Sequence, residues 1–196
     1  VAIRDAREQL FMAAERVLLR DGPGALTSRA VTAEAGCAKG VLHRHFADFD
    51  AFLAELVQDR IARLDEQAAV LRGRTGTGTV TDNLTDALTD LFGTVAVSVV
   101  GLLFARDGLR ARLRTTTPTG VPLLTEATAA IAAYLAAERA AGRLAADTDT
   151  ATLAPALIGT AHLLFADRDA PPPDAGTVRR MIAPVLAPSL REPGKK

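Results

Sequence analysis

The chain has 196 residues, 48% of them apolar, enough to bury a sizeable core and too many for a disordered polymer. Lysine plus arginine equals aspartate plus glutamate at 23 each, so net charge singles out no polyanion, and any nucleic-acid surface has to be local. The one cysteine, Cys37, has no intramolecular disulfide partner and no charged, apolar, small-residue signal pattern opens the sequence, so a reducing cytoplasm is the expected compartment.

Alanine and leucine recur at helical spacing almost throughout, while glycine and proline gather in a few places, which predicts an all-α chain of about nine helices. The first spans roughly 4 to 20 and puts Leu10, Phe11, Ala14, Val17 and Leu18 on one stripe before "DGPGAL" stops it. Two short helices follow at about 28–35 and 38–46, then a long one from about Asp48 to Leu71 that runs into the linker "GRTGTGT". Further helices are expected at about 81–100, 102–114, 121–141, 149–167 and 175–187, separated by "TTTPTG", "AGRLAAD" and "DAPPPD". The apolar run "LFGTVAVSVVGLLFA" at 91–105 is shorter than the roughly 20 residues that span a bilayer and predicts a buried helix. Only "EPGKK" at the end has the composition of a disordered tail.

The two short helices carry the most information. Thr27 is a good N-cap, Val31 and Ala35 face inward, and Gly36 stands where a helix ends in a left-handed residue. Leu42 and Phe46, one turn apart, give the second helix an apolar face, with Gly40 and Arg44 near the opposite side and Val41 and His43 on the flanks. A helix too short to stand alone, pinned by Leu42, Phe46 and Cys37 and offering a narrow polar ridge, has the geometry of a helix-turn-helix.

The run "ALTSRAVTAEAGCAKGVLHRHFADFDAFL" resembles the DNA-binding region of the TetR family of bacterial transcriptional regulators. The shared pattern is a threonine opening the first helix of the motif, an alanine-glycine turn, a recognition helix closing on aromatic-x-His-Phe, and a long helix leading onward. It covers about the first 55 residues; beyond them only helical layout and length agree. The resemblance implies a three-helix helix-turn-helix domain over 1–50, with the motif at about 27–46, and a helical effector-binding and dimerisation domain over 51–196. It implies a ligand-responsive regulator, most often a repressor, that binds a palindromic DNA operator as a homodimer through its last two helices and is released by a small-molecule effector. The positions matching its DNA contacts are Thr27, Ser28, Arg29, Lys39, Gly40, Val41, His43, Arg44 and His45.

Four departures weaken the expected backbone attachment. Ala38 replaces the usual capping serine, removing a side-chain cap typically worth about 1 kcal/mol. Val41 replaces a common threonine, leaving a methyl contact to thymine but no hydrogen bond. His43 replaces a phosphate-binding tyrosine, and Phe49 a lysine that commonly holds phosphate.

A small, largely apolar effector is expected within residues 84–165, lined by Phe92, Val99, Leu103 and Phe104, with Tyr134, His162 and Phe165 as polar or aromatic anchors. A plain core reads similarly, and His162 fits a satisfied core histidine as well as an anchor. The long helix, packed on the DNA unit through Phe49 and Phe52, would act as the lever. The arginines of "RDGLRARLR" read as a solvated helix face before an anion site, and Cys37 as a small core residue before a redox sensor. His43 and His45, two apart, point to different faces of a helix and form no metal pair. No phosphate loop, nucleophile elbow or metal-spaced cluster stands in the sequence, so neither an enzyme nor a cofactor is expected. The alternative function is a helical protein-interaction module whose helix-turn-helix has lost DNA affinity.

Overall fold

The computed structural model describes residues 2–167 and 170–191, with the side chains of residues 2–5 outside that set, as is the tail "EPGKK". The described residues form ten α-helices: α1 (Ala2–Asp21), α2 (Ser28–Glu34), α3 (Gly40–His45), α4 (Phe49–Gly73), α5 (Val80–Phe92), α6 (Ala96–Ala105), α7 (Asp107–Leu113), α8 (Leu124–Ala140), α9 (Thr150–Phe165) and α10 (Ala175–Leu186). Two short 3-10 turns and one isolated antiparallel bridge, Leu144 to Leu190, complete the regular structure. No single helix among the described residues is long and apolar enough to cross a membrane.

The tenth helix comes from the apolar run. Where helices at 81–100 and 102–114 are expected, the chain makes α5, α6 and α7 instead. Gly93 closes α5, its N–H donating to Thr89 O at 2.7 Å, and the Thr94 hydroxyl donates to Leu91 O at 2.9 Å. These local bonds compete with helix continuation. Arg106, in extended backbone, then separates α6 from α7.

The chain folds as two compact units. The first comprises Val1–Ile61 and Ser98–Leu123, the second Ala62–Val97 and Leu124–Lys196. In the first, α1 packs on α2, and Phe11 of α1 joins an aromatic cluster with Phe46, which ends α3, and Phe52 of α4. Phe11, Phe46 and Phe52 stand 5.0–5.9 Å apart by ring centroid, with Phe46 and Phe52 edge to face. A helix of six residues such as α3 is unstable in isolation. Here it is held by Leu42 and Phe46, both buried; full burial of side chains like these is worth about 1.5–3 kcal/mol each.

In the second unit α8 packs on α9, and α10 packs on both α5 and α9. Alanines 154 and 161 on the buried face of α9 keep the helices close, beside Leu157 and Ile158. A polar knot fixes the loop after α4. Glu138, fully buried, accepts from the Gly76 amide at 3.3 Å and pairs with Arg143 at 3.2 Å. Arg143 also donates to Thr77 O and Gly78 O at 3.2 and 2.8 Å, while Asn83 donates to Thr77 O and to the Tyr134 hydroxyl, both at 2.9 Å. Burial and the Glu138 carboxylate push the Tyr134 phenol well above its ordinary range.

Candidate functional site

The helix-turn-helix is assembled by caps and turns that the sequence states openly. The Thr27 side chain accepts from the Ala30 amide at 3.1 Å, which starts α2, and Gly36 adopts a φ of 65°, which ends it. The Thr32 hydroxyl, buried, donates to Ser28 O at 3.0 Å. No side chain caps α3 at Lys39, as the alanine at 38 leads one to expect.

Of the nine expected DNA contacts, Thr27, Arg29, Lys39, Gly40, His43 and Arg44 are exposed, while Ser28, Val41 and His45 are half-buried. The Thr27 hydroxyl is already engaged in its cap. The Ser28 hydroxyl oxygen is buried and without a hydrogen-bond partner among the described residues. Arg29, Lys39 and Arg44 make no ion pair among the described residues, so their charges face outward uncompensated. At Gly40 a β-carbon would meet nothing within 4 Å, so the chain's own packing does not require glycine there.

Other arginines of this unit are committed elsewhere, which sequence spacing did not reveal. Arg7 lies 4.5 Å over the Phe46 ring, donates to His45 O at 3.3 Å and pairs with Glu55, so α1 clamps the end of α3. Arg16 and Arg20 both bond Glu34, at 2.7 and 2.8 Å, and hold its carboxyl below the ordinary carboxylate range, Arg20 contributing first. Two of the four "RDGLRARLR" arginines, Arg106 and Arg112, are partly solvated yet paired with the head of α4. Arg112 meets Asp48 at 3.0 Å and Arg106 meets Asp50 at 3.6 Å, and Arg106 also lies 5.3 Å over the Phe49 ring. Asp48 is held below its ordinary range first by the Ala51 amide, which it caps at 2.6 Å, and then by Arg112.

The seven expected effector residues fall in both compact units. Val99 and Leu103 are fully buried in the first unit, and Phe104, in the same helix, is 58% exposed. The other four lie in the second unit. Phe92 stands 5.9 Å from His162 and 6.1 Å from Phe165, forming an aromatic group, while Tyr134 is tied into the polar knot. Desolvation lowers the His162 pKa, and its Nδ1 is buried without a hydrogen-bond partner among the described residues.

Two concavities lie in the second unit. One, of about 150 Å³, runs between α4, α5 and α8, with apolar walls from Leu64, Ala68, Leu71, Leu91, Ala127 and Ile131, and none of the seven residues lines it. Its charged edge holds the Arg74–Asp86 pair at 2.8 Å and Asp90. The other, of about 480 Å³ and open, is bounded by Thr89, Gly93, Phe165, Pro172 and Pro173, and the Thr89 hydroxyl oxygen there is buried and without a hydrogen-bond partner among the described residues. Sequence reasoning reached Phe165 but missed Thr89, which no spacing rule distinguishes from its neighbours.

Residues 10–56 match the family model described as "Bacterial regulatory proteins, tetR family". No curated protein matches the chain in sequence. Among solved structures, a TetR-family transcriptional regulator from Agrobacterium tumefaciens superposes with a TM-score of 0.72 at 17% identity, over 96% of this chain and 99% of that one. A gamma-butyrolactone receptor (ArpA-like protein) is similar with a TM-score of 0.63 at 20% identity, over 97% and 90%. The multidrug binding protein EbrR, complexed with imidazole, is similar with a TM-score of 0.58 at 20% identity, over 96% and 97%. The helix-turn-helix segment is thus of the TetR-family type, and the chain as a whole has the fold of TetR-family transcriptional regulators.

Proposed function

We propose that this protein is a ligand-responsive transcriptional regulator that binds a palindromic DNA operator as a homodimer and, in its free form, represses. The observation that carries the reading is the outward face of α3: Lys39, Gly40, His43 and Arg44 exposed, with Leu42 of the same helix fully buried. This is a fixed ridge of donors and charge on a helix narrow enough for the major groove. Gly40, unneeded by internal packing, suits a close approach of backbone to DNA. Residues 1–50 form the DNA-binding domain in this reading and 51–196 the effector and dimer domain, with the unbroken α4 as the connecting lever.

Dimerisation is supported by the outer faces of the last two helices. In α9, Thr152, Ala156, Gly159 and Leu163 are exposed at helical spacing, Leu163 to 74%, and α10 exposes Met181 to 37%. A stripe of small residues around large apolar ones suits close, two-fold packing of helices. The effector is small and largely apolar. Its site is in the second unit, at the concavities beside α5, with Phe92, His162 and Phe165 as the aromatic anchors among the expected residues. A ligand that weakens operator binding a hundredfold binds the DNA-free form a hundredfold more tightly, or about 2.7 kcal/mol.

The decisive experiment is recovery of bound fragments from genomic DNA, followed by gel shift on the recovered site. A palindromic site bound by a dimer is the expected result. A dimer that recovers no DNA would instead favour the protein-interaction module. On the recovered site, Arg44→Ala is expected to lower specific affinity by about 1–3 kcal/mol if Arg44 reads guanine, and Lys39→Ala to weaken all sequences alike and flatten the salt slope. Equal loss on operator and random DNA for Arg44→Ala would refute base reading by that residue.

A further inference from the structure

We propose that Arg106, the residue before α7, and Arg112 within it belong to the DNA-binding surface: they cancel the charges of Asp48 and Asp50 at the head of α4, so that phosphates beside the recognition helix meet a neutral shoulder instead of an acidic one. The proposal rests on the reading of α3 as a recognition helix. It begins from chain proximity. Asp48 and Asp50 follow the last residue of α3, His45, by three and five positions. At no more than about 3.6 Å per residue, Asp48 stands within about 11 Å of the end of the helix that would enter the groove. Asp48 is exposed, and Asp50 is half-buried.

Asp48 cannot turn away. Its Oδ1 accepts from the Ala51 amide at 2.6 Å, which makes it the N-terminal cap of α4, and its Oδ2 takes Arg112 at 3.0 Å from 64 residues further along the chain. The cap is needed to start the helix; the negative charge that comes with it opposes DNA. Asp50 is paired more loosely, its buried Oδ1 making no hydrogen bond among the described residues. Arg106 lies 3.6 Å from its Oδ1 and stacks over Phe49, and a β-carbon on Gly108 would come within 3.2 Å of its Oδ2, so the first turn of α7 is seated against this carboxylate. Without α7, the charges of Asp48 and Asp50 would offset those of Lys39 and Arg44 on the recognition helix. With it, Lys39, which precedes α3, and Arg44 within it act uncompensated.

The arrangement does little for stability, because both partners of the Arg112–Asp48 pair are about half exposed and such pairs are individually weak. Its effect is expected on binding. Charges within about 8 Å of a phosphate still interact at physiological ionic strength. Segment 98–123 thereby joins the DNA-binding machinery, although it lies some 50 residues beyond the helix-turn-helix.

The test measures dissociation constants of the full chain on the recovered operator and on a random duplex, at low and high salt. The variants are Arg112→Ala, Arg112→Lys, Asp48→Asn and Arg112→Ala/Asp48→Asn; asparagine preserves the cap. Arg112→Ala is expected to weaken binding to both duplexes roughly three- to tenfold at low salt, with the loss fading at high salt. Arg112→Lys is expected to bind as wild type, Asp48→Asn more tightly, and the double variant within about twofold of wild type, because the two charges act additively through the same field. A double variant as weak as Arg112→Ala means that Arg112 grips phosphate itself, which overturns charge cancellation. Wild-type affinity in Arg112→Ala also overturns it, while leaving the regulator reading intact. If the wild-type chain binds no DNA at all, the regulator reading falls, and this inference with it.

Discussion

Two short irregular segments have to be held in place in this molecule, and the two units hold them by opposite chemistry. In the first unit the recognition helix and the turn into α4 rest on an aromatic cluster, Phe11, Phe46 and Phe52. In the second, the loop of residues 74–79 is tied by Glu138, Arg143, Asn83 and Tyr134, a polar group centred on a carboxylate with no exposure. Dispersion and burial are additive and tolerant of shape, so an aromatic cluster degrades gradually. A buried polar group is satisfied or it is costly, so removal of one partner burdens those that remain.

The comparison breaks or sharpens under substitution. The largest effect is expected from Phe52→Ala, which empties the centre of the aromatic cluster at a cost of about 4 kcal/mol in urea unfolding and takes DNA binding down with it. Arg143→Ala is expected to cost about 3 kcal/mol, toward the lower end for a broken buried pair because Arg143 is itself 24% exposed. Tyr134→Phe deletes one hydroxyl and leaves its partners short of a bond, for about 1–2 kcal/mol. Phe52→Leu, which keeps the site apolar and mostly filled, is expected to cost about 1 kcal/mol. Should Phe52→Leu prove as damaging as Arg143→Ala in the same unfolding assay, the distinction between tolerant and intolerant anchoring fails.

The smallest effect concerns pH. Desolvation depresses the His162 pKa in the folded state below its unfolded value of about 6.5, so the unfolded chain takes up the proton first. The stability linked to the neutral ring is complete above about pH 6.5 and is lost as pH falls through the folded pKa. Urea titrations from neutral to mildly acidic pH should show a shallower acid decline in His162→Gln than in wild type. Identical slopes would mean that His162 is solvated in both states and is no buried anchor of the aromatic group with Phe92 and Phe165.

The sequence by itself determined the all-helical class, the helix-turn-helix and its punctuation. Thr27, Gly36, Leu42 and Phe46 act through their nearest neighbours along the chain, and capping, left-handed turns and one-turn spacing are local physics that a string of residues carries intact. The break at Gly93 and Thr94 was less legible, because the apolar run around it favours helix on either side. Only the tertiary structure decided which charges remain available. Arg16 and Arg20 are taken by Glu34, Arg7 by Glu55 and the Phe46 ring, and Arg112 by Asp48, whereas Arg29, Lys39 and Arg44 face outward. It also divided the expected effector residues, since Phe104 and Phe92 are neighbours in one apolar run yet lie in different units, one exposed and one buried. Ion pairing and pocket lining depend on which distant helices meet, and no local pattern records that.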